Sequence, residues 1–287
     1  MLSNGSLIKF MHKFFQHGQQ VAGFSRKSIH SSSSVEREFK VSVLGSCGSV
    51  GKPLSLLLKH SELISELYLY DVMGSAGIAC DLSHIETKAN IDTLVPIVSE
   101  VFQMNGVYDP RKIFGVSTLN VVRANTFIAR SLHLNPLAID CPVIGGNFGT
   151  SVVPLISKCK PFLFDQISDE QVRNITQHIQ NASRAVEEAK AGKGATLSMA
   201  YAAARFANSL LKGLSGELDI VECAFVRSDI MDSKYFSSEV RLNEDGIEKI
   251  KKLSPKMSNF EKELLHNAVP QVIHNVELGE KWMRKTI

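Results

Sequence analysis

Three glycines and an aspartate are the residues best suited to chemistry near the start of the globular sequence. Gly45, Gly48 and Gly51 form a GxxGxxG pattern, and Asp71 follows twenty residues after Gly51. Glycines at such a turn let the backbone approach a pyrophosphate at the positive N-terminus of a helix. The Asp71 carboxylate would accept hydrogen bonds from a ribose and repel a 2′-phosphate. The pattern predicts a site for NAD rather than NADP, and a plain strand–helix turn with an exposed aspartate is the alternative.

The surrounding elements must position these residues. FKVSVLG at 39–45 predicts a buried strand, KPLSLLLKHSELI at 52–64 has leucines at helical spacing, and LYLYD at 67–71 predicts a second strand. Together they make one βαβ unit. A short helix is predicted around Cys80–Lys88, and the range 93–108 is also predicted to be helical.

The second half alternates strand and helix patterns. Ser168 with Gln171, and Ser258 with Glu261, have the spacing of helix capping boxes, and Pro270 is predicted to interrupt the last helix. The predicted strands are 113–117, 141–146, 220–228, 234–238 and 239–245, the last three antiparallel, and the predicted helices are 120–132, 168–190, 195–214 and one beginning at 258.

A second candidate for chemistry is the stretch IGGNFG, Ile144 to Gly149. A short apolar strand enters a double glycine, and Asn147 follows it. Asparagine in a glycine-rich turn usually reflects its tolerance of unusual backbone angles. Asn147 is either such a turn residue or the occupant of a position where a working side chain is expected.

Composition excludes several classes of protein. Hydrophobic residues make up 44 % of the 287 residues and charged residues 21 %, as in ordinary globular proteins, and a net charge of +3 is too small to indicate nucleic-acid binding. The sequence contains no apolar run of the roughly 18 residues that a membrane span needs. Five dispersed cysteines predict reduced thiols.

Residues 1–34 differ from the rest because they are basic and rich in serine, and the first carboxylate is Glu36. Such a leader is typical of a mitochondrial transit peptide. A disordered tail is the alternative.

Several long blocks, in the same order, resemble mitochondrial-type malate dehydrogenase of the lactate/malate dehydrogenase superfamily. They include KVSVLGSCGSVGKPLSLLLK, ACDLSHIETKA, VRANTF, PVIGG and ATLSMAYAAARF, and the likeness extends from about Lys40 to the C-terminus. The resemblance implies an α/β fold, in which a Rossmann-type NAD-binding domain precedes an α+β domain of the lactate/malate dehydrogenase type. It also implies a small dicarboxylate substrate, a homodimer and the mitochondrial matrix.

The resemblance also implies the site residues. Arg123 matches an arginine that binds a substrate carboxylate. Met199 matches a residue near the nicotinamide, and a methionine of the hydrophobic core is the alternative interpretation. The family's catalytic histidine and its aspartate partner fall at Asn147 and Asn120. The implied cofactor-binding residues of the glycine turn are Gly45, Ser46, Cys47, Gly48, Ser49, Val50 and Gly51, with Asp71 at the end of the second strand.

A larger difference lies near residue 92, where the family has roughly seventy further residues that hold sheet strands and a loop with two substrate arginines. The predicted organisation is therefore a leader at 1–34, a truncated dinucleotide-binding domain at 35–92 and a substrate and dimerisation domain at 93–287. The incomplete sheet is expected to pack against the second domain and to leave an incomplete cleft.

Three readings follow from these differences. The first is a family member that is catalytically impaired or inactive, and that forms a homodimer, pairs with an intact paralogue or has a structural role. The second is an active malate dehydrogenase that uses non-standard residues. In the third, the gap is a splice or gene-structure feature, which would leave the substitutions at 120 and 147 unexplained. No metal site is predicted.

Overall fold

The computed structural model describes residues 38–71, 74–85, 87, 90–92 and 109–286. The leader at 1–34 and the helix predicted at 93–108 lie outside the described residues. The helices are α1 Gly51–Lys59, α2 Ser75–Ser83, α3 Thr118–Leu132, α4 Asp169–Ala189, α5 Leu197–Leu214 and α6 Asn259–Thr286. The strands are β1 Phe39–Leu44, β2 Ile64–Tyr70, β3 Asn90–Asp92, β4 Gly115–Val116, β5 Val143–Gly145, β6 Val152–Pro154, β7 Ile220–Arg227, β8 Tyr235–Asn243 and β9 Gly246–Ile250.

The N-terminal half contains a parallel sheet in the order β1-β2-β3. Parallel strands need a crossover between them, and α1 provides it between β1 and β2. The predicted βαβ unit is therefore confirmed, whereas β3 was not predicted. Among the described strands, β1 lies at the edge of this sheet, so it pairs on one side only.

The C-terminal half is built on an antiparallel sheet. Its strands follow the order β4-β7-β8-β5-β6, and β9 pairs with β8. The long β7–β8 pair buries Phe236, Val240 and Leu242. Because this sheet carries β5, it presents the turn at 144–149 from a rigid support.

Helix α5 joins the two halves of the described fold. Its residues Ala204 and Leu211 belong to the buried cluster that also contains Val43 of β1 and Leu67 and Leu69 of β2. The predicted packing of the N-terminal sheet against the second half is therefore observed.

Both predicted capping boxes are present. The Ser168 hydroxyl accepts a hydrogen bond from the Gln171 backbone N–H at 3.2 Å, and the Gln171 side chain accepts one from the Ser168 N–H at 2.9 Å. At the start of α6, Ser258 and Glu261 exchange the same two bonds, at 3.2 and 2.8 Å. These caps satisfy N–H groups that the first helical turn leaves without partners.

Three sequence expectations are wrong in detail. Pro270 does not interrupt α6, which runs through it. Proline removes the hydrogen bond to the carbonyl of His266, but Pro270 is exposed, so water can satisfy that carbonyl. The strands predicted at 234–238 and 239–245 are one strand, β8, and α2 begins at Ser75 instead of near Cys80.

No helix in the part of the chain that the structure describes is long and apolar enough to cross a membrane. All five cysteines are free thiols, as predicted.

Candidate functional site

The glycine turn after β1 needs two of its glycines for steric reasons. Gly45 has φ of +76°, a left-handed conformation that favours glycine. A Cβ on Gly51 would lie 1.9 Å from the carbonyl oxygen of Gly45. The tight turn therefore excludes larger residues at these positions, and it places the N-terminus of α1 beside the end of β1.

The turn leaves polar groups ready for a ligand. Among the described residues, the backbone N–H groups of Ser49, Val50 and Gly51 have no hydrogen-bond acceptor. The Ser46 hydroxyl is buried and also lacks a partner in the described part of the chain. Free N–H groups at a helix N-terminus fit an anionic group such as a pyrophosphate.

Asp71 lies directly after β2, beside the glycine turn. One of its carboxylate oxygens, Oδ2, accepts a hydrogen bond from the Cys47 backbone N–H at 2.7 Å. This bond fixes the carboxylate against the turn, next to the free N–H groups. The arrangement fits a dinucleotide, whose pyrophosphate and ribose need donors and a carboxylate at adjacent positions.

The second site residue, Asn147, follows β5 in a closely packed turn. Gly145 and Gly149 take the positive φ angles of this turn, +96° and +59°, whereas Asn147 does not have a positive φ. A Cβ on Gly146 would lie 2.2 Å from the Ser151 hydroxyl oxygen. The glycines therefore meet the backbone demands, and Asn147 is not required as a turn residue.

The side chain of Asn147 contacts Asn120 of α3. The Asn120 Nδ2 amide donates to the Asn147 side-chain oxygen at 3.1 Å and to its backbone carbonyl oxygen at 3.3 Å. Asn120 is buried and Asn147 is exposed. The structure thus brings together the two positions that the sequence paired, as a neutral amide–amide contact that joins α3 to the turn.

Arg123 lies one helical turn after Asn120 on α3 and is 8 % exposed. Its Nη1 donates to the Ser183 hydroxyl of α4 at 2.8 Å. Its Nη2 is buried without a partner, and no carboxylate in the described residues forms an ion pair with it. Burial lowers the pKa of Arg123. A buried guanidinium with a free donor suits a ligand carboxylate.

Met199 lies in the first turn of α5. It is half-buried and belongs to none of the buried clusters of described residues. Its neighbours Leu197 and Tyr201 are 73 % and 46 % exposed. This environment differs from that of a core methionine.

The site residues form two groups. Cys47 and Asp71 are joined by a hydrogen bond at the glycine turn. Asn120, Asn147 and Arg123 lie around the start of α3. No hydrogen bond or ion pair among the described residues links the two groups.

Sequence reasoning missed Ser183, the partner of Arg123. A signal for it exists in α4, because its buried residues Val172, Ile175 and Ile179 form a helical stripe. The next position of that stripe, four residues after Ile179, is Ser183.

Two protein-family models match this chain, and together they include most of the described residues. A family model described as the lactate/malate dehydrogenase NAD binding domain matches residues 39–107, and one described as the lactate/malate dehydrogenase alpha/beta C-terminal domain matches residues 117–283. The first match contains the glycine turn and Asp71. The second contains Asn120, Arg123 and Asn147.

Curated relatives include "Malate dehydrogenase, mitochondrial" from Homo sapiens, which is 37 % identical over 321 residues, covering 88 % of this chain and 94 % of the relative. The Mus musculus protein of that name is 36 % identical over 324 residues with the same coverage. Since 88 % of 287 residues is roughly 253, about 70 positions of the first alignment have no residue in this chain. The internal shortening inferred from the sequence has this size.

Solved structures share the fold. Malate dehydrogenase from Salinibacter ruber has a TM-score of 0.72 at 15 % identity, covering 87 % of this chain and 100 % of that one. Malate dehydrogenase from Cryptosporidium parvum has a TM-score of 0.69 at 19 % identity, covering 84 % and 99 %. These likenesses confirm the expected α/β fold, with a Rossmann-like NAD-binding half followed by an α/β C-terminal domain.

Proposed function

This chain belongs to the lactate/malate dehydrogenase family, whose cofactor is NAD, and from that premise we propose that it is a catalytically impaired malate dehydrogenase. In this proposal it keeps the means to bind a carboxylate and a dinucleotide. It lacks the group that moves the proton. The observation that carries the proposal is the amide–amide hydrogen bond between Asn120 and Asn147.

Oxidation of a 2-hydroxy acid requires loss of the hydroxyl proton together with a hydride. NAD, when bound, supplies the acceptor of the hydride. The proton needs a base near neutral pH, and an amide has no usable basic lone pair. In this chain the side-chain oxygen of Asn147 already accepts the Asn120 amide at 3.1 Å. Asn120 also carries no negative charge that could stabilise a protonated base.

Arg123 supports the binding part of the proposal. Its free Nη2 donor is buried, on the residue one helical turn after Asn120, and has no carboxylate partner among the described residues. A carboxylate of a small dicarboxylate would satisfy this donor and neutralise the buried charge. We therefore assign Arg123 to substrate binding.

The cofactor part rests on the glycine turn. The free N–H groups of Ser49, Val50 and Gly51 suit a pyrophosphate, and Asp71 suits a ribose. Binding weaker than that of an intact family member is expected, because a doubly wound domain normally contributes two βαβ halves and a crevice between them. The division into domains at 35–92 and 93–287, and a contact of Met199 with the nicotinamide, are parts of this proposal.

Fluorescence titration with NADH and an assay of oxaloacetate reduction test the proposal. We expect weak NADH binding and no turnover beyond background, since loss of general-base catalysis alone costs about 10²–10⁴ in rate. Turnover near that of an ordinary dehydrogenase would refute the proposal. Tight NADH binding without turnover would contradict only the incomplete cofactor site, and not the impaired catalysis.

A double substitution, Asn147→His with Asn120→Asp, tests whether the asparagine pair is limiting. A gain in malate oxidation that rises with pH through the range of histidine ionisation would show that it is, because the neutral imidazole accepts the hydroxyl proton. Phe148→His is the matched control, because it places an imidazole one residue away in the same turn, and no gain is expected. Absence of gain in the double variant would make the missing arginine loop limiting.

A mitochondrial matrix location and a dimer, with a second copy or an intact paralogue, complete the proposal. The location is supported by the basic leader and by the names of the relatives. Fractionation of cells and light scattering of the purified chain test these two points. A cytosolic or monomeric protein would contradict them.

A further inference from the structure

Two cysteines that have no role in the proposed function face each other in the C-terminal half. Asp140 and Lys160 form an antiparallel bridge in which each backbone N–H donates to the other's carbonyl oxygen, both at 2.8 Å. The next pair of residues along the two segments is Cys141 and Cys159. In antiparallel pairing, a hydrogen-bonded pair is followed by a non-hydrogen-bonded pair, whose side chains are closer.

This placement fits a disulfide. Non-hydrogen-bonded pairs have Cα atoms about 4.5 Å apart, inside the range of roughly 4.4–6.8 Å that disulfides span. Both cysteines are buried and belong to the same cluster of side chains, and the neighbouring thiol is the largest influence on the pKa of each. Formation of an S–S bond therefore needs little movement of the backbone.

The two thiols differ in access. Cys141 is fully buried, and Cys159 is 3 % exposed. Cys159 lines an open cavity of about 580 Å³, together with Lys158, Phe162 and Lys256. That volume admits small oxidants, and the two lysines give its wall positive charge. A reagent can thus reach Cys159, whereas Cys141 lies behind it.

The pKa shifts of the two thiols also favour Cys159 as the thiol that reacts first. The neighbouring Cys141 thiol lowers the pKa of Cys159, against the opposing effects of burial and of Asp140. The Cys159 thiol, followed by burial, raises the pKa of Cys141. Because the thiolate is the reactive form, Cys159 is the nucleophile and Cys141 the resolving thiol.

We propose that Cys141 and Cys159 form a reversible disulfide when hydrogen peroxide enters the cavity beside Cys159. The Cys159 thiolate attacks one peroxide oxygen, an S–O bond forms, the O–O bond breaks, and the leaving hydroxide takes the thiol proton as water. The Cys141 sulfur then attacks the Cys159 sulfur, an S–S bond forms, and the S–O bond breaks. The hydroxyl leaves with the Cys141 proton as a second water, so two thiols lose two electrons and peroxide is reduced to two waters.

Peptide mapping of the folded, full-length chain tests this inference. The protein is treated with hydrogen peroxide, remaining thiols are alkylated, and the digest is analysed by mass spectrometry. The expected product is a peptide that links Cys141 to Cys159 and disappears on reduction. Cys223→Ala is the matched control, since it removes a third buried thiol of the same cluster and is expected to leave the linked peptide unchanged.

Two further variants establish the order of reaction. In Cys141→Ala, Cys159 is expected to remain as a sulfenic acid that dimedone traps, and in Cys159→Ala, Cys141 is expected to stay unmodified. Mapping of the unsubstituted chain decides the case even if a variant fails to fold. A digest in which only Cys47 and Cys80 are oxidised, or in which the linked peptide forms only in denaturant, overturns the proposal. A stable adduct at Cys159 without the link also overturns it.

Discussion

Replacement of Arg123 by methionine is expected to stabilise the ligand-free protein. The guanidinium is 8 % exposed, donates one bond to Ser183 and leaves Nη2 without a partner among the described residues. A buried charge without a counter-charge is costly, and binding sites often carry such a cost because function requires it. Methionine keeps an unbranched apolar stem of similar reach and removes the charge.

The expected magnitude is a difference of two opposing effects. Loss of the bond to Ser183 removes about 1.5–3 kcal/mol, because a charged donor is involved. Relief of desolvation returns several kcal/mol for one buried ion. The net gain in the free energy of unfolding is thus about 1–2 kcal/mol, which raises Tm by roughly 2–4 °C for each kcal/mol in a domain of this size.

Urea and thermal unfolding, with and without malate, measure both effects. At a malate concentration about a hundredfold above its Kd, the unsubstituted protein should gain about 2.7 kcal/mol, and Arg123→Met should gain nothing. Arg184→Met is the matched control. Arg184 lies next to Ser183 in sequence, its side chain is 77 % exposed, and its surface pair with Glu188 at 2.8 Å should contribute less than about 1 kcal/mol.

Two outcomes would refute the role given to Arg123. If Arg123→Met is clearly destabilised in the absence of ligand, the guanidinium is a structural donor whose bond to Ser183 outweighs its desolvation. If malate stabilises neither protein, Arg123 is not part of a carboxylate site.

Two further predictions concern the glycine turn and the buried thiols. Gly51→Ala should lower the free energy of unfolding by about 1–3 kcal/mol and weaken NADH binding, because the added Cβ meets the Gly45 carbonyl oxygen. Gly77→Ala is the control, since its Cβ would lie in open space on α2 and should not destabilise the protein. Thermal unfolding measures the stability of both variants, and NADH fluorescence measures binding. Burial raises the pKa of Cys223 from 9.0 to about 12, so the stability from its neutral thiol is complete below about pH 9 and is lost as pH rises toward 12. Urea titrations between about pH 9 and pH 12 should therefore show a smaller loss of stability for Cys223→Val than for the unsubstituted protein. An equal loss in both proteins would contradict the raised pKa of Cys223.

Local signals in the sequence predicted much of the fold. The capping boxes at Ser168 and Ser258 and the βαβ unit around Gly51 depend on residues close in sequence, and each is observed. The sequence predicts two strands where the structure has the single strand β8, whose centre contains Ser237 and Ser238. Both serines are buried, and Ser237 donates to the Ser117 hydroxyl at 2.8 Å. That bond spans 120 residues, so no local pattern could reveal it.

The sequence names candidate site residues but gives no geometry for them. The resemblance paired Asn120 with Asn147, and the two side chains do touch. The lack of an ion-paired carboxylate at Arg123 and the burial of Cys141 and Cys159 in one cluster depend on how α3, α4 and the C-terminal sheet pack. Tertiary packing of this kind leaves no periodic signal in the sequence.

The cluster that joins the N-terminal sheet to α5 has a consequence for cooperativity. Val43 and Leu69 bury their side chains against Ala204 and Leu211, residues far away in the sequence. The N-terminal strands therefore complete their core only when α5 is folded. Unfolding of the two halves should be a single transition, and a fragment that ends before α5 should not fold by itself.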